Sequence, residues 1–554
     1  MDIKTRLESA IREAAAAAIA AGDFQADTLP EVLLEVPPQK EFGDYATNFA
    51  MQTARTARTN PRKVAEALVK YLQRPWLERC EIAGPGFINF YLRPEWVHDL
   101  LAGILAQGDT YGCTQTGNGQ KIQVEFVSAN PTGLLHVGHG RGAAFGSALV
   151  NVLRAAGYEV QAEYYINDAG NQIDNLAASV NARYLELLGQ EVAFPEDGYR
   201  GEDIITTAQG LLDRDGDKYL SWSEAERVAH FKEVALAEKL AILKDHLAAF
   251  NVHFDVWFSE RTLHQSGAVD EACAILKDKG QAYEKDGALW LKSTAYGDDK
   301  DRVIIRDNGV PTYLAADIAY HRNKAERGFD KIINIWGADH HGYICRVKAS
   351  MAALGYEAER LEVLILQMVS LYRDGELVKM SKRTGQSVTL DELMEEVGRD
   401  AARYFFIMRS IDSQLDFDID LARSRSNENP VYYVQYAHAR ICSIFRQTAE
   451  AGIVMKALDT LPLQALREEA EMELIKKLGD FAEEIDQAAR ERAPHRIARY
   501  VHEVASLFHS FYNQCRIIGA EPDVQLARLG LVTATQQVLR RALGILGVEA
   551  PEKM

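Results

Sequence analysis

Apolar residues recur at helical spacing near the start of the chain, where Ile3, Leu7 and Ile11 share one face and Gly22 supplies a stop. The same periodicity predicts a second helix over residues 60–72. Residues 81–92 carry two short apolar runs on either side of Gly84, Pro85 and Gly86, the pattern of a hairpin. A small α+β unit is therefore expected first. It is bounded by GDTYGCTQTGNGQ at 108–120, a Gly-, Thr- and Gln-rich stretch that reads as a linker.

From Lys121 the pattern changes. Apolar runs of strand length (IQVEFVSA, VQAEYYIN, KIINIW, EVLILQMVS) alternate with amphipathic segments of helix length, first from His139 toward Ala156, then to Leu188, and later through Val347 and Met351. Buried strands separated by helices predict a parallel sheet with crossover connections, an α/β architecture. Residues from about 190 to 300 interrupt the alternation with mixed helix and strand, as an inserted subdomain would. Beyond Thr389 the spacing is almost wholly helical, with Leu466, Leu474, Ile475 and Leu478 in phase. The organisation expected is an N-terminal α+β domain (1–112), an α/β domain (113–390) and an all-helical C-terminal domain (391–554).

Length and composition narrow the class. A chain of 554 residues exceeds one core and suggests roughly three or four domains. Its 47% hydrophobic and 26% charged residues are those of a globular protein, not of a fibre or a disordered chain. No run reaches the ~18 apolar residues a membrane span needs, and Glu8 and Glu13 ahead of the Ala-rich stretch argue against a leader, so a cytoplasmic protein is expected. The six cysteines show no CxxC spacing, which predicts reduced, mostly buried thiols without a zinc site or disulfide framework. His340, His341 and Cys345 lie close together but lack a second ligand pair, and the calcium-loop-like run from Asp213 to Glu224 has Lys218 where the turn needs glycine, so no metal is assigned.

A net charge of −18 opposes casual binding to a polyanion. Phosphates would have to be met by local basic surface. Arg55, Arg58, Arg62 and Lys63, Arg423 and Arg425, Arg490, Arg492, Arg496 and Arg499, and Arg540 and Arg541 are the candidates, each equally readable as a solvated face balanced by acids.

Two segments carry chemistry. The first, EFVSANPTGLLHVGHGRGA, leaves a strand, turns through small residues and enters a helix near His139. Backbone N–H groups and a helix N-terminus in such a turn suit phosphate, and His136 and His139 add ring donors. A dinucleotide fingerprint is the rival, since Gly138, Gly140 and Ala143 fit G-x-G-x-x-A, but that motif follows its strand directly and here NPTGLLHV intervenes. The second, LVKMSKRTG, sets Lys379 and Lys382 in a polar loop after the last predicted strand, suited to charge moving onto a leaving pyrophosphate.

In this order the two segments resemble the H-x-G-H and KMSKS signatures of class I aminoacyl-tRNA synthetases, with Val137 in place of the commoner isoleucine and Arg383 in place of the final serine. Longer matches are similar to the arginyl-tRNA synthetase family: FGDYATNFAM, DNGVPTYLAADIAYH, NIWGADHHGY, GRDAARYFF and NPVYYVQYAHARICSIF, which with the first signature span essentially the whole chain. The resemblance implies a Rossmann-like catalytic domain. It implies that His136, His139, Lys379 and Lys382 are catalytic, and that Gly138, Gly337, Asp339, Met380 and Ser381 contact ATP. The signature segment is Ala129, Asn130, Pro131, Thr132, Gly133, Leu134, Leu135, His136, Val137, Gly138 and His139.

Glu125, Asn130, Tyr313 and Asp317 match the family positions that line the arginine pocket, and Tyr313 and Asp317, spaced i,i+4, would share a helix face. A flat guanidinium needs planar carboxylate acceptors, and a pocket built to bond it rejects other side chains without a separate editing domain. The activity implied is arginine–tRNA ligation: L-arginine, ATP carrying Mg2+ as a substrate complex, and tRNA(Arg) are the partners, with no prosthetic group and a monomer expected. In the family the N-terminal domain meets the tRNA elbow, the helical domain reads the anticodon, and tRNA is commonly required for activation. Tyr432, Tyr433, Tyr436, His438 and Arg440 are candidates for stacking on bases, with helix packing as the alternative. A synthetase for cysteine or glutamate would show zinc-type cysteines or a cationic pocket, and a non-catalytic paralogue would lack some of the two histidines and two lysines, all of which are present.

Overall fold

The computed structural model describes residues 3–378 and 387–554. Two compact units are formed: Met1–Asp109 with Gln447–Asp480 and Leu507–Gln537, and Thr110–Arg446 with Phe481–Ser506 and Val538–Met554.

In the first unit, α1 (Ile3–Ala20) buries Ile3, Leu7, Ala10, Ile11, Ala14, Ala15 and Ala18, the face its periodicity predicts. Strands β1 (Leu34–Glu35) and β2 (Tyr45–Thr47) precede α2 (Phe49–Thr56) and α3 (Pro61–Tyr71). Asn60 caps α3 by accepting the Arg62 N–H, with proline at the first helical position. Strands β3 (Leu77–Ala83) and β4 (Phe87–Leu92) form the expected hairpin, longer at its start, in an antiparallel sheet of order β1-β2-β4-β3. Helix α4 (Glu95–Gln107) follows.

The second unit is built on β5 (Lys121–Glu125), α5 (Val137–Ala155), β6 (Glu159–Ile166), α6 (Asn171–Leu187), α7 (Glu202–Asp215), α8 (Glu224–Ala249) and β7 (Val256–Ser259). It continues with α9 (Glu260–Gln265), α10 (Ala268–Asp278), the antiparallel strands β8 (Ala282–Lys285), β9 (Ala288–Leu291) and β10 (Arg302–Ile305), then α11 (Tyr313–Glu326), β11 (Lys331–Gly337), α12 (Ile344–Leu354) and β12 (Leu361–Leu366). The main sheet is parallel, in the order β12-β11-β5-β6-β7. Chain progression therefore runs one way from β5 to β6 and β7 and the other way from β5 to β11 and β12. Such a reversal leaves a crevice at the carboxyl ends of β5 and β11.

Two expectations need adjustment. The stretch read as an insertion contributes β7, the edge strand of the main sheet; that strand is only Val256–Ser259, too short to stand out after the long helix α8. After β13 (Val369–Arg373), β14 (Glu376–Val378), α13 (Leu390–Val397) and α14 (Arg399–Ile407), the region expected to be all helical holds β15 (Leu415–Asp418). It pairs parallel to β13, with Leu415 and Phe417 inward and Asp416 and Asp418 outward. Of the thiols, Cys273, Cys442 and Cys515 are buried, while Cys113 and Cys345 are exposed. Among the described residues no helix is long and apolar enough to cross a membrane.

Helix α5 lies against the sheet at glycine distance. A Cβ on Gly146 would overlap the Phe126 ring, and one on Gly140 would stand 2.7 Å from Leu390. Phe126 and Leu390 are fully buried, so neither contact relaxes freely. Gly146→Ala is expected to lower stability by about 1–3 kcal/mol, an overpacking cost, seen as a lower urea midpoint at unchanged slope. An unchanged midpoint would mean that the helix can move away from the sheet.

Candidate active site

The crevice at the end of β5 and β11 is a cavity of about 860 Å3, within the range that takes a nucleotide-sized ligand. Its walls come from four short stretches: Val127–Asn130 after β5, His136–His139 at the start of α5, Gly337–His340 after β11, and Leu366–Leu371 between β12 and β13. Leu377, Val378, Ser387 and Val388 also line it, with Gly142, Asn167, Ile335 and Trp336.

The first stretch is strained. Val127 and Ser128 have φ of 68° and 41°, and a β-branched residue rarely occupies that region. The conformation is held by hydrogen bonds from Tyr164 Oη to the Ala129 carbonyl (2.7 Å) and from the Tyr165 N–H to Ser128 Oγ (3.1 Å). This turn aims the signature segment into the cavity. Nothing in the residue types signalled it.

His136 caps α5: its Nδ1 accepts the Gly138 N–H at 3.1 Å, and its own N–H donates to His139 Nδ1 at 3.3 Å. The rings stack with centroids 3.7 Å apart. Because both Nδ1 atoms accept, each neutral ring carries its proton on Nε2, which remains as a donor. Burial lowers the pKa of His136, and burial together with the His136 charge brings His139 down to about 4. Two neutral N–H donors at a helix N-terminus thus face the crevice. A Cβ on Gly138 would stand 3.0 Å from His136 Cε1, so the glycine makes room for this ring. One turn on, the buried Arg141 donates to the carbonyls of Gln367 and Ser410, both at 2.9 Å, tying α5 to the cavity wall after β12.

The second signature meets the first through its flanks. His136 and Thr389 form an antiparallel bridge, the Val137 N–H donates to the Val388 carbonyl (3.3 Å), and the Leu390 N–H donates to the Leu135 carbonyl (2.8 Å). The predicted residues Lys379, Met380, Ser381 and Lys382, with Arg383, lie outside the described residues, while Val378 and Ser387 on either side line the cavity.

Of the residues expected around the amino acid, Asn130 lines the cavity and donates to Gln172 Oε1 at 2.7 Å. Tyr313 and Asp317 stand on successive turns of α11, with Tyr313 61% exposed. Asp317 accepts from Tyr343 Oη at 2.5 Å. Burial raises its pKa to about 7, with the charges of Glu125 and Glu260 adding and the Tyr343 bond and Lys324 opposing. Glu125, at the end of β5, is buried; Oε1 accepts from Ser128 Oγ (3.0 Å), and Oε2 accepts from the fully buried Lys324 (2.5 Å). Glu260 at the start of α9, also buried, completes an acidic group, its pKa raised chiefly by burial.

Glu260, Tyr343 and Lys324 were missed from sequence. A polar stripe was nonetheless legible: Asp317, Tyr320, His321 and Lys324 recur at i, i+3, i+4 and i+7 on α11. Gly337 ends β11, and Asp339 and His340 line the cavity while His341 does not. On helix Pro430–Glu450, Tyr432 and Tyr436 stack at 6.1 Å and the Arg440 guanidinium lies 4.6 Å from the Tyr436 ring centre. Tyr433 meets the His502 ring at 5.1 Å. His438 is 3% exposed, its Nδ1 against the Pro551 carbonyl, and so leaves the set of base-stacking candidates.

Comparison with known proteins identifies the family. Residues 2–92 match the arginyl tRNA synthetase N terminal domain, 100–411 the catalytic domain of tRNA synthetases class I (R), and 434–554 the DALR anticodon binding domain. The chain is 56% identical over 539 residues to the arginine–tRNA ligase of Carboxydothermus hydrogenoformans, covering 97% of each chain. It is 54% identical over 555 residues to that of Moorella thermoacetica, covering 100% of this chain and 99% of the relative. The solved arginyl-tRNA synthetase of Thermus thermophilus superposes with a TM-score of 0.75 at 25% identity, over 99% of this chain and 100% of that one. A parallel-sheet crevice faced by two neutral histidines, an acidic group beside it, and full-length likeness of this degree place the chain in the arginyl-tRNA synthetase family of class I aminoacyl-tRNA synthetases.

Proposed function

We propose that the crevice at the β5–β11 reversal binds ATP and that the carboxylates beside it hold the guanidinium of arginine. The chain is an arginine–tRNA ligase, as its family membership and full-length relatives establish. It joins the arginine carboxylate to the α-phosphorus of ATP, expelling pyrophosphate, and then passes the arginyl group from the adenylate to the terminal ribose of tRNA, releasing AMP. The observation that supports the reading of the site is the backbone pairing of the His136–Val137 turn with Val388–Thr389, which brings the first signature beside the chain that flanks the second.

In this reading His136 and His139 donate through Nε2 to the phosphate chain. Neutral donors suit that role, because they bond the polyphosphate without the cost of burying two like charges side by side. Gly138, Gly337 and Asp339, with Met380 and Ser381, contact ATP, and Lys379 and Lys382 take up charge as pyrophosphate departs. Mg2+ enters with ATP as part of the substrate. Asp317 and Glu260 face the guanidinium, Tyr313 covers it, and Glu125 and Asn130 hold the ammonium end of the amino acid. Positioning and charge absorption are the protein's contribution, as in other phosphoryl transfers. Residues 1–112 meet the tRNA elbow and 391–554 its anticodon, with Tyr432 and Tyr436 as stacking surfaces. The enzyme acts in the cytoplasm as a monomer.

Arginine-dependent exchange of pyrophosphate into ATP, with tRNA present, tests these roles. Asp317→Asn is expected to lower kcat/KM for arginine by about 2–4 kcal/mol equivalent, by loss of a buried charge partner, with KM for ATP little changed. The raised Asp317 pKa fixes the sign of the pH effect. The carboxyl is protonated below about 7, so kcat/KM for arginine should fall tenfold per pH unit on the acid side. Asp317→Asn should erase that limb; an unchanged profile removes Asp317 from the pocket. His139→Ala should depress exchange by about two orders of magnitude at saturating arginine. Near-normal turnover would take the histidine out of the mechanism.

A further inference from the structure

Lys324 sits on α11, fully buried, two turns beyond Asp317. Its ammonium donates to Glu125 Oε2 (2.5 Å) and to Asn334 Oδ1 (2.9 Å), and stands 4.2 Å from the centre of the Tyr320 ring. Every later bond then has a fixed direction. Since Asn334 turns its oxygen to Lys324, its Nδ2 donates to His321 Nε2 (2.8 Å), so the His321 proton is on Nδ1 and is donated to the Asp317 carbonyl (2.8 Å). Burial and the Lys324 charge hold His321 neutral, with its pKa lowered to about 3. Asn334 and His321 are both buried.

We propose that Lys324 is a positioning residue for arginine: one ammonium clamps the Glu125 carboxylate at the end of β5 and, through Asn334 and His321, anchors the turn of α11 that carries Asp317. The inference rests on the reading of Glu125 and Asp317 as arginine ligands and adds the group that sets their separation and charge. A buried ion pair gives little net stability against an apolar pair of the same shape, so its consequence here is geometric and electrostatic. Lys324 offsets part of the Glu125 charge and fixes its carboxylate for the ammonium end, and it leaves Asp317 and Glu260 as the acids that face the guanidinium. Without it, the groups facing Asp317 would be Glu125 from β5, Glu260 from α9, Tyr165 from β6 and Tyr343. None of these is a cation.

The test is tRNA-supported pyrophosphate exchange with Lys324→Met and with Lys324→Gln, which keeps a hydrogen-bonding head and serves if the first variant does not fold. Asp317→Asn is run alongside. KM for arginine should rise about 100-fold in Lys324→Met and about tenfold in Lys324→Gln, while KM for ATP stays within about threefold. The acid limb of kcat/KM for arginine should move to higher pH, because Asp317 loses the Lys324 charge that opposes its raised pKa. A purely structural lysine would lower activity at every pH, with arginine and ATP affected alike and the limb unmoved, and that result overturns the proposal. If the Lys324 variants keep a normal KM for arginine while Asp317→Asn raises it, the positioning role alone falls. If Asp317→Asn is also silent, the pocket reading falls first.

Discussion

The reversal of strand order at β5 is the constraint from which the site follows. A parallel sheet in which the chain steps outward from β5 through β6 to β7, and later returns to the other side of β5 for β11 and β12, cannot cover the carboxyl ends of β5 and β11, and the chain leaving each strand must edge the gap. After β5 that chain is the strained Val127–Ser128 turn and the signature leading into α5; after β11 it is Gly337 to His340. The glycines of α5 let the helix lie close enough to the sheet for its first turn to reach the same opening. Arg141 then fixes that helix to the far wall by two main-chain carbonyls.

In the proposed reading the substrate site has two halves, the opening itself and the acidic group beside it. One half is neutral and donor-rich, because the two histidines use Nδ1 on the backbone and keep a proton on Nε2. The other is acidic, with Glu125 paired to Lys324 and with Asp317 and Glu260 raised by burial. A substrate that is anionic at one end and carries a flat cation at the other fits that division, and a polyphosphate fits the first half. Some of the basic clusters are already balanced locally, as in Arg496 with Glu484 and Glu491 and Arg423 with Glu396. With a net charge of −18, tRNA must be met by local surface beyond those pairs.

Much of this was legible in the sequence because the signals are local. A strand, a turn of small residues and H-x-G-H lie within one short segment, while Tyr313 and Asp317 came from the family resemblance and their i,i+4 spacing adds that one helix face carries both. What stayed hidden depends on long-range packing. Lys324 lies on the polar stripe of α11, whose spacing gives no partner, and only the fold turns that stripe toward β5 and β11. Glu260 opens a short helix after a four-residue strand that no periodicity could separate from its neighbours. His438 showed the opposite failure: its position among tyrosines suggested a recognition surface, whereas helix phase buries it.

The central proposal is that the acidic group beside the opening, and no other part of the protein, receives the guanidinium. A crystal structure with a non-hydrolysable arginyl-adenylate analogue measures this directly. Guanidinium nitrogens are expected about 2.7–3.2 Å from the Asp317 carboxylate, with the adenylate phosphate toward His136 and His139. A guanidinium seated away from Asp317, with that carboxylate still bonded only to Tyr343, would contradict it.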